Sequence, residues 1–248
     1  MRRYRGNRHR HRRIAVGAAG VILAVLAVGC ICYIRDFYPA DESALAALES
    51  GDCVGVEITK DAVIFAPEEP TVGLVFYPGG KVEHTAYAPL MRELAEQGIL
   101  CVLPEMPLRL AVLDVHAADE IPERYPEIKR WYIGGHSLGG SMAAACAEKH
   151  DDCFAGLVLL ASYSTKDLTE TGLRVLSVYG TEDGVLNLEN YSEKRENLPE
   201  ATVETVLDGG NHACFGSYGP QKGDGAARIS PQEQSEETAA LLLDFFEE

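Results

Sequence analysis

Residues 131–144 read WYIGGHSLGGSMAA. An apolar run meets two glycines, a histidine and a serine, then two more glycines and a row of small helix formers. Within it, residues 135–139 spell G-H-S-L-G, the pattern G-x-S-x-G. The run before it has the character of a buried strand and the run after it that of a helix. That setting is the one in which a serine sits on a sharp strand-to-helix turn with its hydroxyl raised above a sheet. The glycines then have a physical reason. Strand and helix crowd together at such a turn, and Cβ atoms two residues either side of the serine would collide. The small residues Gly139, Gly140, Ala143, Ala144 and Ala145 let the helix lie close to the sheet.

The flanking sequence supplies that sheet. Short apolar runs recur at 53–59 (CVGVEIT), 62–67 (AVIFAP), 72–77 (VGLVFY), 99–104 (ILCVLP), 130–136 (RWYIGGH), 156–162 (GLVLLAS), 174–180 (RVLSVYG) and 202–208 (TVETVLD). The first two read as a hairpin around Lys60 and Asp61. Helical periodicity falls between the others, at 85–98, 108–124, 141–150, 190–198 and 236–248. Continuously apolar strands alternating with helices predict an α/β fold whose mostly parallel sheet is covered by helices on both faces. No internal repeat is present.

A serine needs a base to take its proton, and the base needs a carboxylate to orient it. Chain order selects the partners, since this kind of turn goes with the order serine, acid, histidine. Beyond residue 13 the histidines are His84, His116, His136, His150 and His212. The first two precede the serine, His136 adjoins it facing away, and His150 reads as a helix terminus. His212, in the loop after the last strand, is the base. The acid follows the strand 174–180, in Thr181-Glu182-Asp183-Gly184. Asp183 is the expected partner and Glu182 the rival, while Asp208 would need a tight loop to reach the ring. Two backbone N–H groups are expected to form an oxyanion hole. One is that of Leu138, after the serine, and the other that of Gly80, in the turn PGGK after 72–77. This chemistry calls for no metal or cofactor.

The segments YPGGKVEHTAYAPL, GGHSLGG, YGTEDG and GGNHACFGSYGPQKGDG together resemble the α/β-hydrolase superfamily. More narrowly they are similar to the alpha/beta hydrolase fold-5 group, related to the dienelactone-hydrolase-like proteins. The resemblance covers about residues 50–248 and implies a hydrolase without implying its substrate. Dienelactone hydrolases carry a cysteine nucleophile where this chain has Ser137, so lactone hydrolysis does not carry over. Only eleven residues separate GLVLLAS from RVLSVYG, which leaves no room for a lid domain. The glycine-rich stretch 216–225 either flanks the pocket or is a loose turn.

The chain has 248 residues and a net charge of −16. Residues 1–13 form a basic arm with seven arginines and no acid, so removing the arm's charge leaves −23 on the remainder. A domain that acidic repels phosphates, and no nucleic-acid partner is expected. Residues 14–34 follow without a charge, and 21 residues of helix span about 30 Å, enough to cross a bilayer core. They are read as one transmembrane helix, left uncleaved. A signal peptide and a lipoprotein cleavage site at Cys30 are the alternatives, and the apolar run continues past Cys30. Arginines before the span and acids after it place the amino terminus in the cytoplasm and the rest outside the cell membrane. The division is a basic arm (1–13), a membrane helix (14–34), a linker (35–50) and a hydrolase-fold domain (51–248). Cys146 and Cys153 are the best-placed disulfide pair, with two separate thiols as the other reading.

The expected activity is that of a membrane-anchored serine hydrolase cleaving a small ester or related acyl compound. A non-catalytic surface or envelope binding module on the same fold is the alternative, as is a peptidase or acyltransferase with the same three residues.

Overall fold

In a computed structural model of the chain, residues 16, 18, 20–25 and 28–247 are described. The basic arm 1–13 lies outside them, as do residues 14, 15, 17, 19, 26 and 27 of the expected membrane span. The chain divides into two units, Met1–Phe37 and Tyr38–Glu248. In the first, residues 20–25 and 28–35 are helical. Among the described residues, no helix is long and apolar enough to cross a membrane.

The second unit is built on eight strands: β1 (Val54–Ile58), β2 (Ala62–Pro67), β3 (Val72–Tyr77), β4 (Ile99–Pro104), β5 (Arg130–His136), β6 (Gly156–Leu160), β7 (Arg174–Gly180) and β8 (Val203–Leu207). They form one sheet in the order β1-β2-β4-β3-β5-β6-β7-β8. The hairpin β1–β2 and the pair β2–β4 are antiparallel, and every other pair is parallel. All eight strands coincide with the apolar runs of the sequence.

Period-two alternation sends successive side chains to opposite faces, and both faces are buried. Leu74, Phe76, Val158 and Leu160 pack on one side with Tyr87, Met91, Leu94, Leu242 and Phe246. Val75, Tyr77, Leu157 and Leu159 pack on the other with Ala143, Ala144, Ile121 and Phe154. The helices are α1 (Glu42–Ala46), α2 (Ala88–Glu96), α3 (Ile121–Arg124), α4 (Leu138–Ala147), α5 (Leu188–Lys194) and α6 (Pro231–Glu247). Thus α2 and α6 cover one face, and α4 with the 111–128 segment covers the other. Between β6 and β7, residues 161–173 contain no helix or strand, so no lid is inserted there.

Three features depart from the sequence reading. The helical periodicity of 108–124 yields two short 3-10 turns, Pro107–Arg109 and Ala111–Leu113, and the single turn α3. Leu108 and Arg109 adopt φ of 52° and 59°, which no continuous helix permits. Helix α6 starts at Pro231, five residues before the expected start, and α4 starts at Leu138 rather than 141. The compact unit begins at Tyr38, inside the stretch read as a linker. Tyr38 forms a β-bridge to Val82, its ring lies 5.6 Å from that of Tyr218, and Ala44 is fully buried. All seven cysteines are free, with Cys146 buried and Cys153 exposed.

Candidate active site

Ser137 stands between the last residue of β5 and the first of α4, at φ 52° and ψ −123°. A non-glycine residue avoids this region unless its surroundings hold it there. Two hydrogen bonds do so: Ser137 N–H donates to Leu160 C=O (2.9 Å), and the Ser162 hydroxyl donates to Ser137 C=O (2.7 Å). The glycines have the role expected of them. A Cβ on Gly135 would lie 2.6 Å from the Gly139 carbonyl carbon, and one on Gly139 would overlap the Tyr77 and Pro78 oxygens. The chain can turn here only where side chains are absent.

Asp183 follows β7, and its carboxylate is tied down twice. Oδ1 accepts from Val185 N–H (2.8 Å) and Leu186 N–H (2.7 Å). Oδ2 lies 2.9 Å from His212 Nδ1, and both side chains are 1 % exposed. A carboxylate accepts, so Nδ1 carries the proton and Nε2 is left as the acceptor of the neutral ring. His212 Nε2 is buried and has no hydrogen-bond partner among the described residues. Ser137 and His212 line one cavity of about 260 Å³, together with Leu138, Ser141, Ala161, Ser162, Tyr163, Val185, Leu186 and Asn187. A larger cavity of about 420 Å³, walled by Arg92, Glu93, Glu96 and Glu236, contains none of the expected catalytic residues.

Gly80 and Leu138 are also brought together. A Cβ on Gly80 would stand 3.0 Å from Leu138 Cδ2. Leu138 opens α4, where backbone N–H groups lack partners within the helix and carry the positive end of its dipole. Glu182, the rival acid, is turned outward to Arg228 (2.9 Å). Asp208 also pairs with Arg228 rather than with His212.

Two supporting groups escape a sequence reading. Asp224 lies in the glycine-rich stretch 216–225. Its Oδ1 accepts from Gly184 N–H (3.0 Å), His212 N–H (3.3 Å) and Gly225 N–H (2.9 Å), and its Oδ2 from Ala213 N–H (2.8 Å). One carboxylate therefore joins the loop of Asp183 to the loop of His212. From α6, the buried Gln234 accepts from Asn211 N–H (3.0 Å) and donates to Asn211 C=O (2.9 Å), fixing the residue before His212. The only sequence signal for Asp224 is its place between two glycines.

His136 is fully buried under the serine turn. Its Nδ1 lies 2.7 Å from Tyr87 Oη, and Tyr87 Oη accepts from Gly79 N–H (3.0 Å). The Tyr87 hydroxyl is thus hydrogen-bonded to both His136 and Gly79, and the pair anchors the turn that carries Gly80. Burial, and next the His212 ring 4.4 Å away, hold the His136 pKa well below the ordinary value.

Comparisons with known proteins agree with this architecture. A family model described as the alpha/beta hydrolase family matches residues 73–236. No curated protein matches. Among solved structures, a predicted CIB-like hydrolase from Thermoplasma acidophilum is similar at a TM-score of 0.57 and 15 % identity, over 79 % of this chain and 99 % of that one. Est1E from Butyrivibrio proteoclasticus gives 0.55 and 12 %, over 79 % and 100 %. Carboxylesterase CesB from Bacillus subtilis gives 0.58 and 11 %, over 83 % and 95 %. At these identities the likeness is one of fold.

The Asp224 clamp predicts that Asp224→Asn lowers stability by about 1–3 kcal/mol, because an amide nitrogen then faces backbone donors. Hydrogen exchange of the amides at 182–184 and 211–213 should accelerate. Wild-type protection at both loops would show that the carboxylate does not join them.

The buried His136 predicts a pH dependence of stability. Its pKa is lowered on folding, so the unfolded chain binds the extra proton as pH falls below about 6.5. Its contribution is complete above that pH and declines below it, by up to about 1.4 kcal/mol per pH unit. His84, whose pKa burial also lowers, acts in the same direction. Urea unfolding at several pH values should show a shallower acid-side slope for His136→Gln than for wild type. Equal slopes would mean that His136 does not stay neutral.

Proposed function

Because the chain belongs to the alpha/beta hydrolase family, we propose that it is a serine hydrolase acting on a small ester or related acyl compound. The observation that carries this reading is the buried Asp183–His212 pair, with His212 lining the same cavity as Ser137 and its Nε2 left without a partner among the described residues. In the reaction, Ser137 Oγ attacks the acyl carbon while His212 Nε2 accepts its proton. Asp183 keeps the proton on Nδ1 and stabilises the imidazolium that forms. The tetrahedral oxyanion receives hydrogen bonds from the Leu138 and Gly80 N–H groups, close to the positive end of α4. Collapse expels the alcohol, which takes the proton from Nε2. A water then gives its proton to Nε2, attacks the acyl carbon and frees the acid, returning the proton to Ser137.

The cavity supports a small, uncharged acyl group. Apart from His212, its lining holds apolar side chains, hydroxyls and one amide, and no charged side chain stands ready to pair with an ionic substituent. No lid domain narrows the entrance, which suits a small soluble substrate better than one drawn from a lipid phase.

The enzyme is proposed to be held at the cell membrane by residues 14–34, with its amino terminus cytoplasmic and residues 36–248 outside. The seven arginines before an uncharged run of 21 residues support this orientation. Within the run, Val21, Ile22, Leu23, Val25 and Val28 each leave more than half their surface exposed.

A fluorophosphonate probe should label the wild-type chain and leave Ser137→Ala unlabelled, and a screen of esters, thioesters and amides should then name the bond cleaved. Asp183→Asn should lower turnover by about 10⁴-fold at retained fold, since the carboxylate fixes the ring's tautomer. Glu182→Gln should change it little, because Glu182 faces Arg228. A folded chain that neither reacts with the probe nor turns over any acyl substrate would support a non-catalytic binding module instead.

Orientation is checked separately. Alkaline phosphatase fused to the carboxy terminus should be active, and an active cytoplasmic reporter at the same position would reverse the topology.

A further inference from the structure

A second group of reactive side chains lies away from the serine. His116 and Asp119 belong to the loop 114–120 that precedes α3, and His150 lies three residues past the end of α4. Asp119 Oδ2 is 3.0 Å from His116 Nδ1 and 3.4 Å from His150 Nε2. All three ligand atoms fall within 4.8 Å of one another. The two imidazoles meet edge to face, with centroids 6.2 Å apart and planes at 88°. We propose that His116, Asp119 and His150 form a binding site for a divalent transition-metal ion of the zinc class.

The chemistry fits such an ion. Two neutral imidazoles and one carboxylate are ligands suited to zinc and its neighbours, and unsuited to magnesium or calcium, which take oxygen shells. With metal–ligand bonds near 2.0–2.2 Å, tetrahedral coordination sets ligand atoms about 3.3–3.5 Å apart. Two of the three separations are already close to this, and small rotations of the partly exposed imidazoles bring in the third. Three protein ligands leave a fourth position for water.

Two further features point the same way. Asp119 is oriented from behind: the buried Cys146 thiol, on α4, donates to its Oδ1 (3.4 Å) and leaves Oδ2 to the imidazoles. Metal-binding carboxylates are commonly held by such an outer contact. The site also lies beside the carboxy-terminal end of α4, where the helix dipole favours positive charge. A bound ion would join the loop 114–120 to the helix that begins after Ser137.

The test uses the full chain with His9 and His11 of the basic arm changed to glutamine, so that the arm binds no metal. After chelator treatment, Zn²⁺ is titrated against a chromophoric competitor, with Mg²⁺ as control. We expect one Zn²⁺ per chain that is lost in both His116→Ala and His150→Ala, and no competition by Mg²⁺. Cys146→Ala should weaken binding by about 10–100-fold. Zn²⁺ at a hundredfold excess over its Kd should raise the Tm by about 5–10 °C in the parent and not in the His116 variant. His116 is half exposed on a loop, so its removal leaves the fold intact, as circular dichroism will verify. A parent that binds no Zn²⁺ at micromolar concentration overturns the proposal. So does Zn²⁺ binding that survives both histidine variants.

Discussion

The buried contact between Asp183 and His212 sets the terms for the whole carboxyl edge of the sheet. Removing a carboxylate from water costs several kcal/mol unless hydrogen bonds replace the lost solvation. Here Asp183 accepts from Val185, Leu186 and His212, so its lone pairs are directed by backbone as well as by the ring. Those donors are useful only if the loop after β7 and the loop after β8 stay in register. Asp224 and Gln234 provide that register, one by joining the two loops and the other by fixing Asn211 from α6. The geometry of one pair therefore depends on residues drawn from β7, β8, the glycine-rich stretch and the last helix.

The serine side is governed by a different constraint, which is space. Its turn is held by backbone lying on backbone, with Gly135 and Gly139 against the end of β3. Ser137 in its rare conformation is kept there by Leu160 and Ser162, both on or just after β6. The turn of Gly80 is fixed in turn through Tyr87 and His136. Each of the three expected chemical functions thus rests on a neighbouring strand, and the sheet order β3-β5-β6-β7-β8 brings them to one edge.

This explains what could be read in the sequence and what could not. Every strand was legible because a strand buried on both faces must be continuously apolar. Ser137, Asp183 and His212 could be singled out as candidates because a local turn and chain order constrain them. The stretch 108–124 misled because its apolar spacing is helical, while positive φ at Leu108 and Arg109 breaks the backbone. The start of α6 had a signal that went unread. The Ser230 and Glu233 side chains each accept from the other's backbone N–H around Pro231, the S-P-Q-E pattern of a capping box with proline at the first helical position. Asp224 and Gln234 carried no comparable signal, since the loop partners they join are 11 to 40 residues away and backbone donors leave no mark on side-chain pattern.

Helix α4 links the two chemical regions of the domain. At its amino-terminal end stand Ser137 and the Leu138 N–H, where the helix dipole favours negative charge. At its carboxy-terminal end stand Cys146 and His150, where the same dipole favours a cation. Its inner face is almost all glycine and alanine, so it lies on β3, β5 and β6 without long side chains to yield under load. A close-packed interface of that kind transmits a displacement rather than absorbing it. Fixing His150 to the loop 114–120 through a metal ion would restrict rotation and sliding of α4 as a body. The restriction would reach the serine turn about 15 Å away along the helix, at 1.5 Å per residue. An ion at the far end would then steady the position of Ser137 without taking part in its chemistry.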